Sequence, residues 1–373
     1  MYAQYELEVL TPLAVGSGRK VLPMEYVATG RELVRVDMDK FFHDRRFSPE
    51  VFVRQADTGQ LYLGREYPFA ASYPLYTLNG EAASLTDLAG RPHEILEFVR
   101  ESAGWIVPGS SLKGALRTAT LKANLTEQQK SVWAAKIEET FNNIQDNKRK
   151  KEEAATKAEQ TVSGQPNYSA FRALKIGDSQ PAGQEAMAIY SVRVLSLRQN
   201  GYGWKQLPRN TVDEPRQATV IFFEAMRPGT RLAGRMTLDR LLLGSRQINL
   251  TGQNIFNDWL QRLREAGKEH LAAEKDFYQR INMKSLVEEY ARLEKIAATL
   301  AENQVILPLG WGSGYTVKTL RGAMPEDKFR QLAAGYGLQL RPGFPFPKTR
   351  KIVFANGTPA TVCGFVKLTL KED

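Results

Sequence analysis

Cysteine is almost absent. Cys363 is the only one in 373 residues, so no disulfide can form within the chain. Histidine is nearly as scarce, at His43, His93 and His270, and no CxxC or HxxxH spacing occurs, so no metal site of the zinc type is expected. No apolar run approaches the roughly 20 residues a membrane helix needs. The start MYAQYELEVL has neither the basic n-region nor the apolar h-region of a secretory signal. These absences lead to the expectation of a cytoplasmic protein with no membrane contact. Catalytic signatures are missing too: there is no Gly-x-Ser-x-Gly, no Cys/His pair and no dense acidic cluster. No Walker loop or dinucleotide fingerprint is present, so no cofactor is expected.

What the chain does have is positive charge. Lys plus Arg number 51 against 41 Asp plus Glu, a formal net charge of +10. An acidic partner follows from that balance, with nucleic acid first among the candidates. At 42% hydrophobic, the chain can bury a large core in one elaborated domain or two ordinary ones.

Patterning gives an α+β chain. YELEV (5–9) and ELVRV (32–36) alternate as strands, and VDMDKFF leads into a helix. Residues 44–105 mix Pro, Gly and aromatics and read as a looped insertion with short elements. Helical patterning runs from 109 to 141. The charged stretch after it, NKRKKEEAATKAEQTVSGQPN, reads as a solvated helix end or a disordered loop, its Lys148–Lys151 cluster able to touch phosphates. Residues 171–178 and 186–198 look like strands. QATVIFFEAM and TRLAGRMTLD, joined by RPGT, read as a hairpin. Residues 253–303 give two amphipathic helices broken near Gly267 or Asn282. The closing GFVKLTLK alternates again. The expected division is a core at 1–245, with insertions near 44–105 and 125–170, and a C-terminal lobe at 246–373. That lobe holds the helical segment 253–303, a glycine-rich loop (309–316) and the closing strands.

Four constellations could carry function. In the loop LPLGWGSGYTVK, Gly310, Gly312 and Gly314 surround Ser313 and precede Lys318; such glycines let backbone N–H groups approach a phosphate. A similar Gly-Ser-Gly beside basic residues stands at Gly16, Ser17, Gly18, Arg19 and Lys20, which allows a repeat, two loops meeting at one site, or chance. In VPGSSLKGALRTATL, Ser110 or Ser111 is a good N-cap, and Lys113 and Arg117 lie one turn apart on a helix face suited to an anion; a plain capped surface helix fits the same residues. After GFPFP, the KTRK run places Lys348, Arg350 and Lys351 beside Phe344 and Phe346, where stacking and phosphate neutralisation can combine. Finally, Asp37 and Asp39 in VDMD, with His43, could act as acid and base or hold a metal; capping the following helix is the simpler role.

Together TPLAVGSG (11–18), VPGSSLKGALRTA (107–119), IGDS (176–179), EAMRPGT (224–230) and GWGSG (310–314) resemble the RAMP superfamily, the repeat-associated proteins of CRISPR effector complexes. VDMDKFF, LGWGSGYTVKT and FPKTRKIVF…GFVKLTL make the finer likeness, to the family of fifth Csm proteins in type III-A systems. The resemblance implies a ferredoxin-like, RRM-related core with a glycine-rich loop. It implies a subunit that binds crRNA near its 3′ end, contacts the other Csm subunits, and helps host nucleases mature that end in antiviral defence. Ala14 stands where family members often carry a histidine, and the RRM aromatic signature is missing. On this basis the RNA-binding residues expected are Ser110, Ser111, Lys113 and Arg117; Gly310, Gly312, Ser313, Gly314 and Lys318; Gly16, Ser17, Gly18, Arg19 and Lys20; and Lys348, Arg350 and Lys351. No catalytic residue and no metal ligand are expected. Two alternatives stand beside this one: an endoribonuclease that processes crRNA, with or without metal, and another RAMP backbone subunit of a related type III complex.

Overall fold

The computed structural model describes residues 2–59, 61–208, 210–245, 250–320, 324–338, 340 and 343–372. The alternation at the two ends of the chain builds its first sheet. The strands are β1 (Tyr2–Val9), β2 (Leu174–Ser179), β3 (Arg231–Leu238) and β4 (Phe365–Glu372). Tyr5, Leu7 and Val9 of β1 are buried, as are Val366, Leu368 and Leu370 of β4, and Leu7 lies opposite Leu368. The intervening residues face out and pair across the strands, Glu8 with Lys367 at 2.6 Å and Glu6 with Lys371 at 3.1 Å. The spatial order is β4-β1-β3-β2, with Gln304–Pro308 added at the outer edge of β4.

Three helices complete this layer: α1 (Gly109–Asn124), α2 (Trp259–Arg280) and α3 (Lys284–Ala298). With α1 between β1 and β2 in sequence and α2 between β3 and β4, the strand order is ferredoxin-like. Leu112, Leu116 and Leu121 recur at helical spacing on α1 and share a core with Trp259, Leu260 and Leu263 of α2 and the inner face of the sheet. The Trp259 indole donates to Thr120 Oγ1 at 2.7 Å, so the one polar atom of that contact is satisfied. The break between α2 and α3 falls at Asn282, which takes φ 57°, a left-handed conformation that asparagine tolerates better than most residues. Beyond it, Leu286, Tyr290 and Leu293 pack into a second core with Tyr278, Phe354 and Phe365.

Among the described residues the second sheet has eleven strands. Its path runs Gly16–Val21, Ile95–Phe98, Ile221–Met226, Met187–Arg198, Pro74–Gly80, Glu32–Val36 and Tyr26–Ala28, and Thr349–Ala355 also pairs with the long strand Met187–Arg198.

Several expectations are corrected here. RPGT does not close a hairpin: Ile221–Met226 lies in the large sheet and β3 in the small one. The end of β1 and the segment behind it capture the two arms separately, since Gly229 N donates to Val9 O (2.7 Å) and Met226 N to Leu13 O (2.8 Å). Residues 44–105 hold more than short looped elements, since two of their strands enter the large sheet. Pro74–Gly80 and Ile95–Phe98 make parallel pairings inside the large sheet. The stretch after residue 146 is neither a disordered loop nor a solvated end. It forms the helix Asn147–Ser163, which packs on Glu127–Asn143 and buries Ala154 and Ala158 completely. The side chains of Lys148–Lys151 lie outside the described residues. A cut near 245 would split both sheets, because each contains strands from both sides of it.

Candidate nucleic-acid interface

The loop Thr11–Val15, which leaves β1, is gripped from two directions. Gly364 N donates to Pro12 O at 2.9 Å, and Trp311 N donates to Ala14 O at 2.6 Å. The two Gly-Ser-Gly segments, 16–18 and 312–314, therefore flank one junction, as the meeting-loops reading required. Glycine is needed there for space as well as torsion. At Gly310, φ 75°, a Cβ would stand 2.2 Å from Ala14 O; at Gly312, φ 84°, one would stand 2.8 Å from Cys363 Cβ. Ser313 Oγ donates to Gly310 O at 2.9 Å and holds the loop closed on itself. Beyond it, Gly314 has open space around it and starts the short helix Tyr315–Lys318. Lys122, in the last turn of α1, donates to Thr316 O at 2.7 Å and ties that helix to the core.

Residues 16–20 belong to an edge strand rather than to a turn that ends one, with an irregular register against Ile95–Phe98. Ser17 Oγ donates to Glu97 at 2.7 Å and Lys20 pairs with Glu94 at 2.5 Å, both on the surface. The Arg19 side chain has no partner among the described residues.

KTRK splits in two. Side chains of a strand alternate between its faces, so Arg350 and Lys351 part company. Arg350 turns inward and forms a bidentate pair with Glu274 (2.7 and 2.8 Å), its guanidinium 4.3 Å over the Phe277 ring. Its fork is occupied by Glu274 and its side chain is 14% exposed, so within the fold Arg350 serves as a structural cation. Lys351 turns the other way and lies 5.2 Å over the Trp311 ring, which itself packs on Phe223. Lys348 sits just before the strand, 5.6 Å over Phe344. Burial and the neighbouring Lys351 hold the Lys318 ammonium below its ordinary range. Neither lysine has a carboxylate partner among the described residues. Lys20, Trp311 and Lys351 share one groove of about 920 Å³. Trp311 of the glycine-rich loop, Lys20 and Lys351 thus line a partly aromatic groove in which Lys20 is paired with Glu94 and Lys351 has no carboxylate partner among the described residues.

The start of α1 is different. The expected serine N-cap is corrected: the cap is Pro108, with no side-chain cap bond, and Gly109 N donates to Asp178 Oδ1 at 2.7 Å. The IGDS strand supplies that carboxylate and also forces the glycine, since a Cβ at 109 would stand 2.3 Å from Ile176 O. Arg117 is held by Glu159 (2.5 Å) and Ser163 (3.1 Å) from the helix Asn147–Ser163. Lys113 has no ion-pair partner among the described residues, its ammonium lowered by burial and by Arg117. Thr118 and Lys318 line one cavity of about 370 Å³. Ser110 lies about 12 Å back along the helix axis from Thr118, and neither Ser110 nor Ser111 lines that cavity or the groove of Lys20, Trp311 and Lys351.

Asp37 caps the helix Met38–Phe42, accepting from Lys40 N at 3.2 Å and pairing with Lys40 Nζ at 2.9 Å. His43 Nδ1 lies 2.6 Å from Asp39 O. Among the described residues no three His, Cys, Asp or Glu side chains are grouped to hold a metal, and no helix is long and apolar enough to cross a membrane. Sequence reasoning passed over Trp311 and Lys122. A tryptophan wedged between two loop glycines was a legible signal; the lysine in a helix's last turn was not.

Residues 6–315 match the model of the RAMP superfamily. The chain belongs to the RAMP superfamily. Over 139 residues, 31% of the chain, this RAMP protein is 29% identical to "CRISPR system Cms protein Csm5" of Streptococcus thermophilus, and the matched stretch spans 38% of that relative. Two solved structures share its fold. One is a chain of a Csm-crRNA-target RNA ternary complex of a type III-A CRISPR-Cas system (TM-score 0.65, 22% identity, covering 99% of this chain and 100% of the other). The other is Csm5 of T. onnurineus (TM-score 0.63, 21% identity, 97% and 99%). At those identities the likeness is one of fold, and it extends over the RAMP core and the C-terminal strands alike.

Proposed function

We propose that this RAMP protein is a non-catalytic crRNA-binding subunit of a type III-A CRISPR effector complex. In this reading it caps the complex near the crRNA 3′ end and assists maturation of that end in antiviral defence. Its partners are crRNA, neighbouring Csm subunits and the host nucleases that trim the RNA. The observation that carries the reading is the groove: a glycine-rich loop wedged against the 14–20 segment, with Lys318 and Lys351 beside it and without a carboxylate partner among the described residues. Backbone N–H groups and ammonium groups recognise phosphates and not bases, so binding follows the strand rather than its sequence and weakens with salt. The partial likeness to Csm5 and the fold shared with a chain of a crRNA-bound complex support the same reading. Asp37, the best acid–base candidate, is already engaged by Lys40, which favours a non-catalytic role.

The test is co-purification of the tagged protein from its host with the RNA it carries, followed by sequencing of RNA 3′ ends. Other Csm subunits and crRNAs with trimmed 3′ ends are expected, and deletion of the protein should leave those ends longer. Cleavage of labelled repeat RNA by the protein alone, lost in His43→Ala or Asp37→Ala, would instead establish the ribonuclease.

A further inference from the structure

Behind the glycine-rich loop lies a partly open cavity of about 130 Å³, walled by Gly312–Thr316 on one side and by α2 and α3 on the other. Its lining is aromatic and polar at once. The Tyr278 and Tyr290 rings stack at 5.5 Å, and His270 stacks on Phe365 at 6.1 Å. Tyr278 and Tyr290 are 0% and 3% exposed, yet neither hydroxyl has a hydrogen-bond partner among the described residues; the His270 ring has none either. Glu274 also lines the cavity. Its carboxylate accepts two bonds from Arg350, and a carboxylate offers about four acceptor sites, so capacity remains. Hydroxyls in such surroundings are ordinarily paired. Burial pushes the His270 ring down to about 4 and raises both tyrosines, so the cavity presents neutral donors and acceptors beside one carboxylate at physiological pH.

We propose that this cavity is a subsite for one pyrimidine base of the RNA strand whose backbone crosses the glycine-rich loop. The inference rests on the groove reading above. Size selects the ring count: a cavity of about 150 Å³ takes a single benzene ring, so a space of 130 Å³ suits one six-membered ring and not the fused rings of a purine. Chemistry selects a base over an apolar side chain. A pyrimidine edge carries both donors and acceptors, which the two hydroxyls, the imidazole and the Glu274 carboxylate can meet, while its faces suit the stacked aromatic walls. Position selects the strand, because the loop that would hold a phosphate is the same loop that roofs the cavity. Unpaired bases swung out of a single strand are read in this manner.

The test compares short oligo(U) and oligo(A) strands on the full-length protein by fluorescence anisotropy. The wild type is expected to favour oligo(U) by about tenfold, equal to about 1.4 kcal/mol. Tyr278→Phe with Tyr290→Phe removes two unpartnered hydroxyls and keeps the rings, so thermal stability should hold or rise while the preference falls to about twofold or less. His270→Ala is a second, independent variant with the same expected loss. Oligonucleotides carrying 4-thiouridine, scanned by position and photocrosslinked, should attach to peptides containing His270, Tyr278 or Tyr290. Equal affinity for oligo(U) and oligo(A), or a preference that persists in both variants with crosslinks elsewhere, would show a water-filled cavity only and overturn the subsite. Such a result would leave the backbone groove standing, whereas no binding of either strand by the wild type would overturn the groove itself.

Discussion

The start of α1 and the glycine-rich loop carry the same ingredients: glycine, serine, backbone N–H groups and two nearby cations. In the fold they have opposite fates. At the start of α1, β2 brings Asp178 to Gly109 N, and the helix Asn147–Ser163 brings Glu159 to Arg117, so most of the positive potential is met from within the chain. At the glycine-rich loop no carboxylate reaches Lys318 or Lys351 among the described residues, and the partner of the loop backbone is another loop, at Ala14. A motif's capacity for an anion is therefore set less by its own residues than by what distant strands and helices place against it. Net charge of +10 says nothing about where that charge is free.

The contrast can be broken hardest at Gly310. Gly310→Val forces a Cβ onto Ala14 O at a positive φ, and the unfolding free energy is expected to drop by about 3 kcal/mol or more in denaturant titration. RNA affinity should fall with it, whereas Gly314→Ala, in open space, should be milder and act mainly through its φ of 108°. Next in size, Lys318→Ala with Lys351→Ala should weaken single-stranded RNA binding by about tenfold or more while the melting temperature stays put, because neither lysine holds a structural ion pair. At the other region, Asp178→Ala should cost about 1 kcal/mol of stability through the lost cap. RNA affinity should be unchanged or slightly higher, since a negative charge is gone. Smallest of all, Ser110→Ala with Ser111→Ala should alter stability by less than about 0.5 kcal/mol and RNA affinity by less than about twofold, because neither hydroxyl caps the helix.

Much of the fold was legible where a pattern is local. YELEV and GFVKLTL announced strands with one buried face, and 253–303 announced two helices and offered their break at Asn282. What failed was pairing across distance. RPGT carries a sound turn signal, but whether its arms pair with each other depends on Val9 and Leu13, more than 200 residues away in sequence. The parallel pairing of Pro74–Gly80 with Met187–Arg198 leaves no mark in either segment alone. The same limit governed the site. Strand periodicity, had it been extended to KTRK, would have separated Arg350 from Lys351; that Glu274 waits for Arg350 could not be read from spacing. Asp178 was quoted within IGDS as a mark of resemblance, and its role as the acceptor for Gly109 emerges only when β2 and α1 meet.

The most direct measurement is the salt dependence of single-stranded RNA affinity in paired variants. Each lost phosphate contact should flatten the plot of log affinity against log salt by about 0.7. For Lys318→Ala with Lys351→Ala the slope should become shallower by about 1.4, while Lys113→Ala should follow the wild-type line. A wild-type slope for the lysine pair, together with a flattened one for Lys113→Ala, would place the RNA at the start of α1 and contradict a groove built on the glycine-rich loop.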